Sequence, residues 1–247
     1  IVATSLISAC TSEQKETATE EVVTALEEVD LEENMNQMDY LLPSPLQISE
    51  LFKRSGLTYT GDVTNSPKNV DNYTTKYDQE LNYGVYSADM AYCIINNQTQ
   101  ESIDYLTTLR ELSEKLWMTD IIGSMGLTNR LEENIGNEDS LTYIMADLQM
   151  QMDHYIDNNG MGNTGAIIFA GAWIETLYLG TKVIENEKNE KLISRLSEQI
   201  VILNSLIASI RRNDTDNDYT ELLTDLGNLK TSFNGFSIDS EEEFILS

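Results

Sequence analysis

From Leu41 to Phe233 the apolar residues return at intervals of three and four. Leu81, Val85, Ala88, Tyr92 and Ile95 form one such series, and Leu141, Ile144, Leu148, Met152 and Tyr155 a second. Leu196, Ile200, Leu203, Ile207 and Ile210 form a third. A backbone of 3.6 residues per turn places such positions on one face, whereas a strand needs a period of two. No stretch alternates with period two long enough to make a strand. Three prolines and 13 glycines in 247 residues leave little turn material for a many-stranded β fold. The expected fold is all-α: a single irregular antiparallel bundle of about seven or eight helices over residues 40–247.

Local signals place the helices. Ser44-Pro45 offers an N-cap followed by proline at the first helical position, and Gly56 closes that short helix. After a loop rich in Thr, Gly and Asn (Leu57 to Asn65), Ser66-Pro67 begins a long segment ending at Asn96-Asn97. Thr99 is expected to cap the next helix, with Ile103, Leu106, Leu109, Leu112 and Leu116 inward. A poorer helix spans Asp120 to Ile135, interrupted by Gly123 and Gly126. The fifth ends at Asn158-Asn159-Gly160, and the sixth begins near Asn163. A seventh carries the Leu196–Ile210 series, and an eighth, Tyr219 to Phe233, carries Leu222, Leu226 and Leu229.

The sixth helix is expected at the centre, because Ala166 to Ile174 (AIIFAGAWI) is apolar on every side. Gly165, Gly171 and Ala172 allow close helix approach. Nine apolar residues ending at Glu175 fall short of the roughly 20 needed to span a bilayer. Short connections imply antiparallel packing of consecutive helices. Ala91-Tyr92, a turn and Ser102-Ile103-Asp104-Tyr105 faintly resemble a tetratricopeptide unit, one residue out of register and without a second copy. Tetratricopeptide-like hairpins are therefore the alternative to a single bundle.

The first residues point to export. Ile1 to Ala9 are apolar or small and suit the distal part of a signal peptide, and Ile7-Ser8-Ala9-Cys10 resembles a bacterial lipobox. The resemblance implies cleavage after Ala9 and lipid on the Cys10 thiol. Each buried methylene adds about 0.8 kcal/mol, so two or more acyl chains anchor stably. Without an initiator Met or a basic n-region, the chain is expected to lack the start of its precursor. Residues 1–9 then read as a signal-peptide remnant, 10–39 as lipidated Cys and tether, and 40–247 as a helical domain.

Charge sharpens the division. The chain has 42 acidic and 15 basic residues, a formal charge of −27 and a pI near 4.1. Phosphate recognition needs Lys and Arg patches, so nucleic acid is excluded as a partner. Docking on anionic lipid through a basic face is excluded likewise. Thr11 to Asp39 carry ten acids, one base (Lys15) and no aromatic residue. Such a segment buries too little apolar surface to offset its ordering entropy. An acidic stretch behind a lipobox also resembles surface-export signals of Bacteroidetes lipoproteins.

Three segments carry a wider resemblance. YLLPSPLQISELFKRSGL (Tyr40 to Leu57), LNYGVYSADMAY (Leu81 to Tyr92) and FAGAWIETLYLG (Phe169 to Gly180) resemble uncharacterised helical lipoproteins of Bacteroidetes. That resemblance implies the helical fold, the lipid anchor and an outer-membrane location, periplasmic or surface-exposed. It implies no catalytic residue.

Candidate chemistry is sparse. One His and two Cys exclude most His- or Cys-rich metal sites, and a ferritin-like di-iron centre needs two Glu-x-x-His pairs. No metal ligand, catalytic residue or cofactor is assigned. His154, near the end of the fifth helix, reads as a surface residue. Asn213 to Asp218 resembles the start of a calcium loop, but Tyr219 stands where glycine is needed and Asp225 where a bidentate Glu belongs; a solvated loop is the better reading. Cys93 reads as a buried thiol outside any disulfide.

Two carboxylates stand apart. Asp89 lies within an apolar helical pattern, and Glu175 follows the most hydrophobic run. Buried there, each needs a partner, with Arg110, Arg130 or a Tyr hydroxyl as candidates. With Trp173 these four form the candidate ligand-binding set. The 12 tyrosines, Trp117 and Trp173 either line a sugar-binding surface or fill the core. The expected function is a non-catalytic binding or interaction module of the cell envelope, lipid-anchored at Cys10, with an envelope protein or glycan as partner. The alternative is an envelope hydrolase or glycan-active protein using Asp89 and Glu175.

Overall fold

The computed structural model describes residues 43–233, apart from 119–125, 127–128, 131–132, 135–136, 187–188 and 215–216. Among them are eight α-helices and one 3₁₀ helix, with no strand. The α-helices are α1 (Pro45–Arg54), α2 (Lys76–Ile95), α3 (Thr99–Lys115), α4 (Glu138–Asn158), α5 (Gly162–Asn186), α6 (Glu190–Ser197), α7 (Ile200–Asn213) and α8 (Thr220–Phe233). The 3₁₀ helix is Pro67–Asn72. The all-α multi-helix bundle is the fold.

The start of α1 follows its sequence signal. Ser44 Oγ accepts from Gln47 N (3.2 Å) and Gln47 Oε1 accepts from Ser44 N (2.8 Å), a reciprocal capping box with Pro45 behind it. Ser66 likewise caps the Pro67 turn, but that turn stops at Asn72, and α2 starts afresh with Thr75 as its cap. The single long helix expected from Ser66 is thus two elements. Thr99 proves to be the first residue of α3; Gln98 holds the cap position and makes no side-chain cap bond. The Leu196–Ile210 series is divided between α6 and α7, since the chain turns at Glu198-Gln199 and resumes in the same phase, keeping Leu203, Ile207 and Ile210 buried. The helix expected over Asp120 to Ile135 lies largely outside the described residues, as do Cys10 and the acidic segment.

At the centre α5 packs on α2. A Cβ on Gly84 would strike the Ile168 carbonyl and the Ala172 amide, and a Cβ on Gly171 would strike the Leu81 carbonyl. Each glycine therefore receives the other helix's backbone. Dispersion falls off steeply with distance, so backbone contact over two turns gives this pair unusually tight packing. The matching positions, Glu80 beside Thr164 and Asp89 beside Glu175, rise together along both helices, so α2 and α5 run parallel. The hairpins α2–α3 and α4–α5 instead run antiparallel: Tyr86 meets Tyr105 across α2 and α3, and Ile156 meets Gly165 across α4 and α5. A central contact between helices more than 80 residues apart is not what stacked consecutive hairpins produce, so the single-bundle arrangement holds over tetratricopeptide-like hairpins.

The apolar run does not end the central helix at Glu175, because α5 continues to Asn186. By length and composition Gly162–Glu185 and Glu190–Asn213 could each cross a membrane. More than half of the first is buried inside the bundle, with Ile167, Ala170 and Trp173 sealed, as a core helix requires.

The glycines supply a test. Gly84→Ala forces two backbones apart and is expected to destabilise by about 1–3 kcal/mol or more. Gly227→Ala, within α8 where an added Cβ meets nothing within 4 Å, is expected to stabilise by about 0.5–1 kcal/mol. Urea denaturation of both variants measures the contrast.

Candidate functional site

The α2 helix carries Asn82, Tyr86, Asp89 and Tyr92 at steps of four, three and three, one stripe facing the loop from Leu57 to Ser66. That loop carries backbone groups that need partners, and the stripe supplies them. Tyr92 Oη donates to Thr58 O (3.0 Å) and accepts from Thr60 N (2.6 Å). Tyr86 Oη donates to Ser66 O (3.0 Å). From α3, Tyr105 Oη donates to Asn65 O (3.1 Å). Tyr86 meets both Tyr73 and Tyr105, with ring centroids 6.2 and 6.0 Å apart, and Tyr59 stacks on Tyr92 at 5.6 Å. The tyrosines are thus core on one side and loop anchors on the other.

Asn65 is the hub. Its backbone N–H donates to Asp89 Oδ2 (3.1 Å), its Nδ2 donates to Tyr73 Oη (2.9 Å), and its Oδ1 accepts from Asn69 Nδ2 (2.9 Å). With the Tyr105 bond, Asn65 ties the loop to α2, α3 and the Pro67 turn. Nothing in the periodic pattern marks it, because its importance comes from where the loop lies.

Asp89 is wholly buried (0% exposed). One of its carboxyl oxygens holds the Asn65 amide, while Oδ1 has no N–H or hydroxyl donor. Its companion is Glu175 from α5, within hydrogen-bonding reach and half-buried. Two carboxyls can bond only when one keeps a proton. Burial pushes Asp89 well above its ordinary value, and the Glu175 charge adds to that. Burial also raises Glu175 to about 7, against the opposing pull of the Asp89 hydrogen bond. Among the described residues no cation is among the charges acting on either group. The arrangement is a buried acid pair in which burial favours the protonated form of both carboxyls.

Of the sequence-predicted set, the fold brings Asp89 and Glu175 together. The arginines do not join them: Arg130 Nη1 binds Asp147 Oδ2 (2.8 Å), and Arg110 lies exposed on α3. A guanidinium is unnecessary where the second carboxyl itself supplies the hydrogen bond. Trp173 is fully buried on α5, its indole Nε1 unpartnered. The hydroxyls of Tyr86, Tyr92 and Tyr105 serve the loop rather than Asp89.

A second buried carboxylate escaped the sequence reading. Glu80, 1% exposed, accepts from Thr164 Oγ1 (2.6 Å) and pairs with Lys76 at 3.3 Å. Thr164 lies in the first turn of α5, whose positive end favours the charge. The i, i+4 spacing of Lys76 and Glu80 is a signal that could have found it.

The remaining candidates have local roles. His154 is exposed on α4. Asp214 accepts from Asp218 N (2.8 Å) and Tyr219 N (3.3 Å), so its carboxylate is spent on the turn into α8. Cys93 is buried and free, its thiol pushed up to about 12 chiefly by burial. Among the described residues no group of three His, Cys, Asp or Glu side chains could hold a metal ion. A groove of about 420 Å³ lies elsewhere, between α1 and α7, lined by Pro43, Gln47, Ile48, Leu51, Arg54 and Ile202. No family model, curated protein or solved structure matches the chain.

The acid pair predicts an unusual pH dependence. Both carboxyls have folded values above their ordinary ones of 3.8 and 4.5, so each favours the folded state most when protonated. Their contribution is complete below about pH 4 and falls as pH rises, the Glu175 part being lost by about pH 7 and the Asp89 part falling in the same direction. Each group contributes a slope of at most about 1.4 kcal/mol per pH unit over its window. Asp89→Asn keeps an acceptor for the Asn65 amide and a donor for Glu175 but cannot ionise. Chemical denaturation at several pH values should give a flatter profile for Asp89→Asn than for the parent.

Proposed function

We propose that the helical domain is a non-catalytic binding or interaction module of the cell envelope, tethered by lipid on Cys10. The observation that carries the non-catalytic part is the commitment of Asp89. One oxygen holds the loop through the Asn65 amide, and the carboxyl pairs with Glu175. The most distinctive acid in the chain is thereby spent on closing the fold. The lipobox resemblance at Ile7 to Cys10 supports the anchor, and the acidic residues behind it support a spacer between membrane and domain. The family resemblance of Tyr40 to Leu57, Leu81 to Tyr92 and Phe169 to Gly180 supports an outer-membrane location.

One observation favours the second reading, an envelope hydrolase or glycan-active protein. Glu175 is only half-buried and holds its proton to about pH 7, the range where a carboxyl can act as a general acid. That reading requires a glycan substrate whose turnover disappears in Glu175→Gln while folding is retained.

The anchor is tested by metabolic labelling with an alkyne fatty acid in a bacterial host that expresses the complete precursor. The parent should incorporate label and partition with membranes, and Cys10→Ala should do neither. Label that persists in Cys10→Ala, or an unlabelled parent, overturns the lipoprotein reading.

A further inference from the structure

Four helices among the described residues end in the same way. The residue after the C-cap has positive φ, its N–H bonds back to the third residue before it, and the next N–H bonds to the fifth before that one. At the end of α1 this residue is Gly56 (φ 102°), at α2 Asn97 (58°), at α4 Gly160 (63°) and at α3 Trp117 (61°). Glycine and asparagine tolerate the left-handed conformation, whereas a large L side chain meets its own backbone there. The other non-glycine residues with positive φ are Asp62, Asn97 and Asn217, all of the tolerant kind. Trp117 is the exception.

Packing does not repay that strain. The Trp117 side chain is 87% exposed, while its neighbours Leu116 and Met118 are buried. The backbone is firmly held: Met118 N donates to Ser113 O (2.8 Å), and Trp117 O accepts from Tyr155 Oη of α4 (3.1 Å). The indole is therefore displayed in solvent from a rigid turn, at a position where glycine would fold more easily. A local rule broken without a compensating side-chain contact among the described residues points to a role outside the molecule.

Charge chooses among occupants. Glu114, one turn before Trp117, is exposed and makes no salt bridge among the described residues, whereas Lys115 is held by Glu111 (2.8 Å) and Asp71 (3.3 Å). Residues 40–247 carry eighteen of the 27 net negative charges. An indole face attracts cations, and a negative surface steers them toward it. We propose that Trp117 is the anchor of an interaction surface that receives a basic segment of a partner protein, an Arg or Lys side chain lying over the indole with Glu114 beside it. This deepens the interaction-module reading and rests on it.

The full chain suits a fluorescence test, because its other tryptophan, Trp173, is fully buried. Deca-arginine peptide should shield Trp117 from acrylamide quenching, and deca-glutamate peptide should not. Trp117→Gly should weaken deca-arginine binding about tenfold while keeping the helical circular dichroism and an equal or higher Tm, and Trp117→Phe should bind between the two. Binding by Trp117→Gly within about twofold of the parent overturns the proposal. So does a lower Tm for Trp117→Gly, which would make the indole structural. Shielding by chitohexaose in place of deca-arginine overturns the basic partner and assigns a glycan. Fatty-acid labelling at Cys10 is unaffected by Trp117, so failure of this surface and failure of the anchor are read separately.

Discussion

The structure depends on the backbone contact between α2 and α5. Gly84 and Gly171 each accept the other helix's carbonyl where any side chain would stand, and this brings two parallel helices together over several turns. The two buried acid sites of the interior lie along that contact. It brings Asp89 within reach of Glu175, and Glu80 within reach of the first turn of α5. Helices this close leave no room for water between them, so the carboxyls at their margin must satisfy each other or the nearest backbone.

The acid pair and the tyrosine stripe solve one problem together. The loop from Leu57 to Ser66 crosses the open side of α2 and would otherwise leave buried amides and carbonyls without partners. Tyr86, Tyr92 and Tyr105 reach it with hydroxyls while their rings fill the core, and Asp89 takes the Asn65 amide. A protonated acid is suited to this place, because it donates in one direction and accepts in the other without a full buried charge. Glu175 lies nearer solvent than Asp89.

Much of the fold was legible in the sequence. The three-four spacing identified helices as the only elements, and the cap signals at Ser44-Pro45 and Asn158-Asn159-Gly160 placed their ends well. The all-apolar run marked the central helix, and the isolated carboxylates at 89 and 175 marked the interior acids. Less legible was where helices stop without a strong breaker. The break after Asn72 and the turn at Glu198-Gln199 carry no proline or glycine, and the apolar phase runs through both. The arginines suggested as partners were reasonable by charge alone, but their positions along α3 and beside α4 take them elsewhere.

What the sequence by itself determined was local: helical periodicity, caps, the small residues that permit close approach, and a strongly acidic charge balance. These follow from interactions within a few residues, which a linear pattern records. What only the tertiary structure decided was which distant residues meet. The parallel pairing of α2 with α5, the union of Asp89 with Glu175, the role of Asn65 and the opposite fates of Trp117 and Trp173 all arise from contacts between distant segments. Two tryptophans of identical chemistry became a sealed core residue and a displayed one, because one lies on the central helix and the other on a turn facing water.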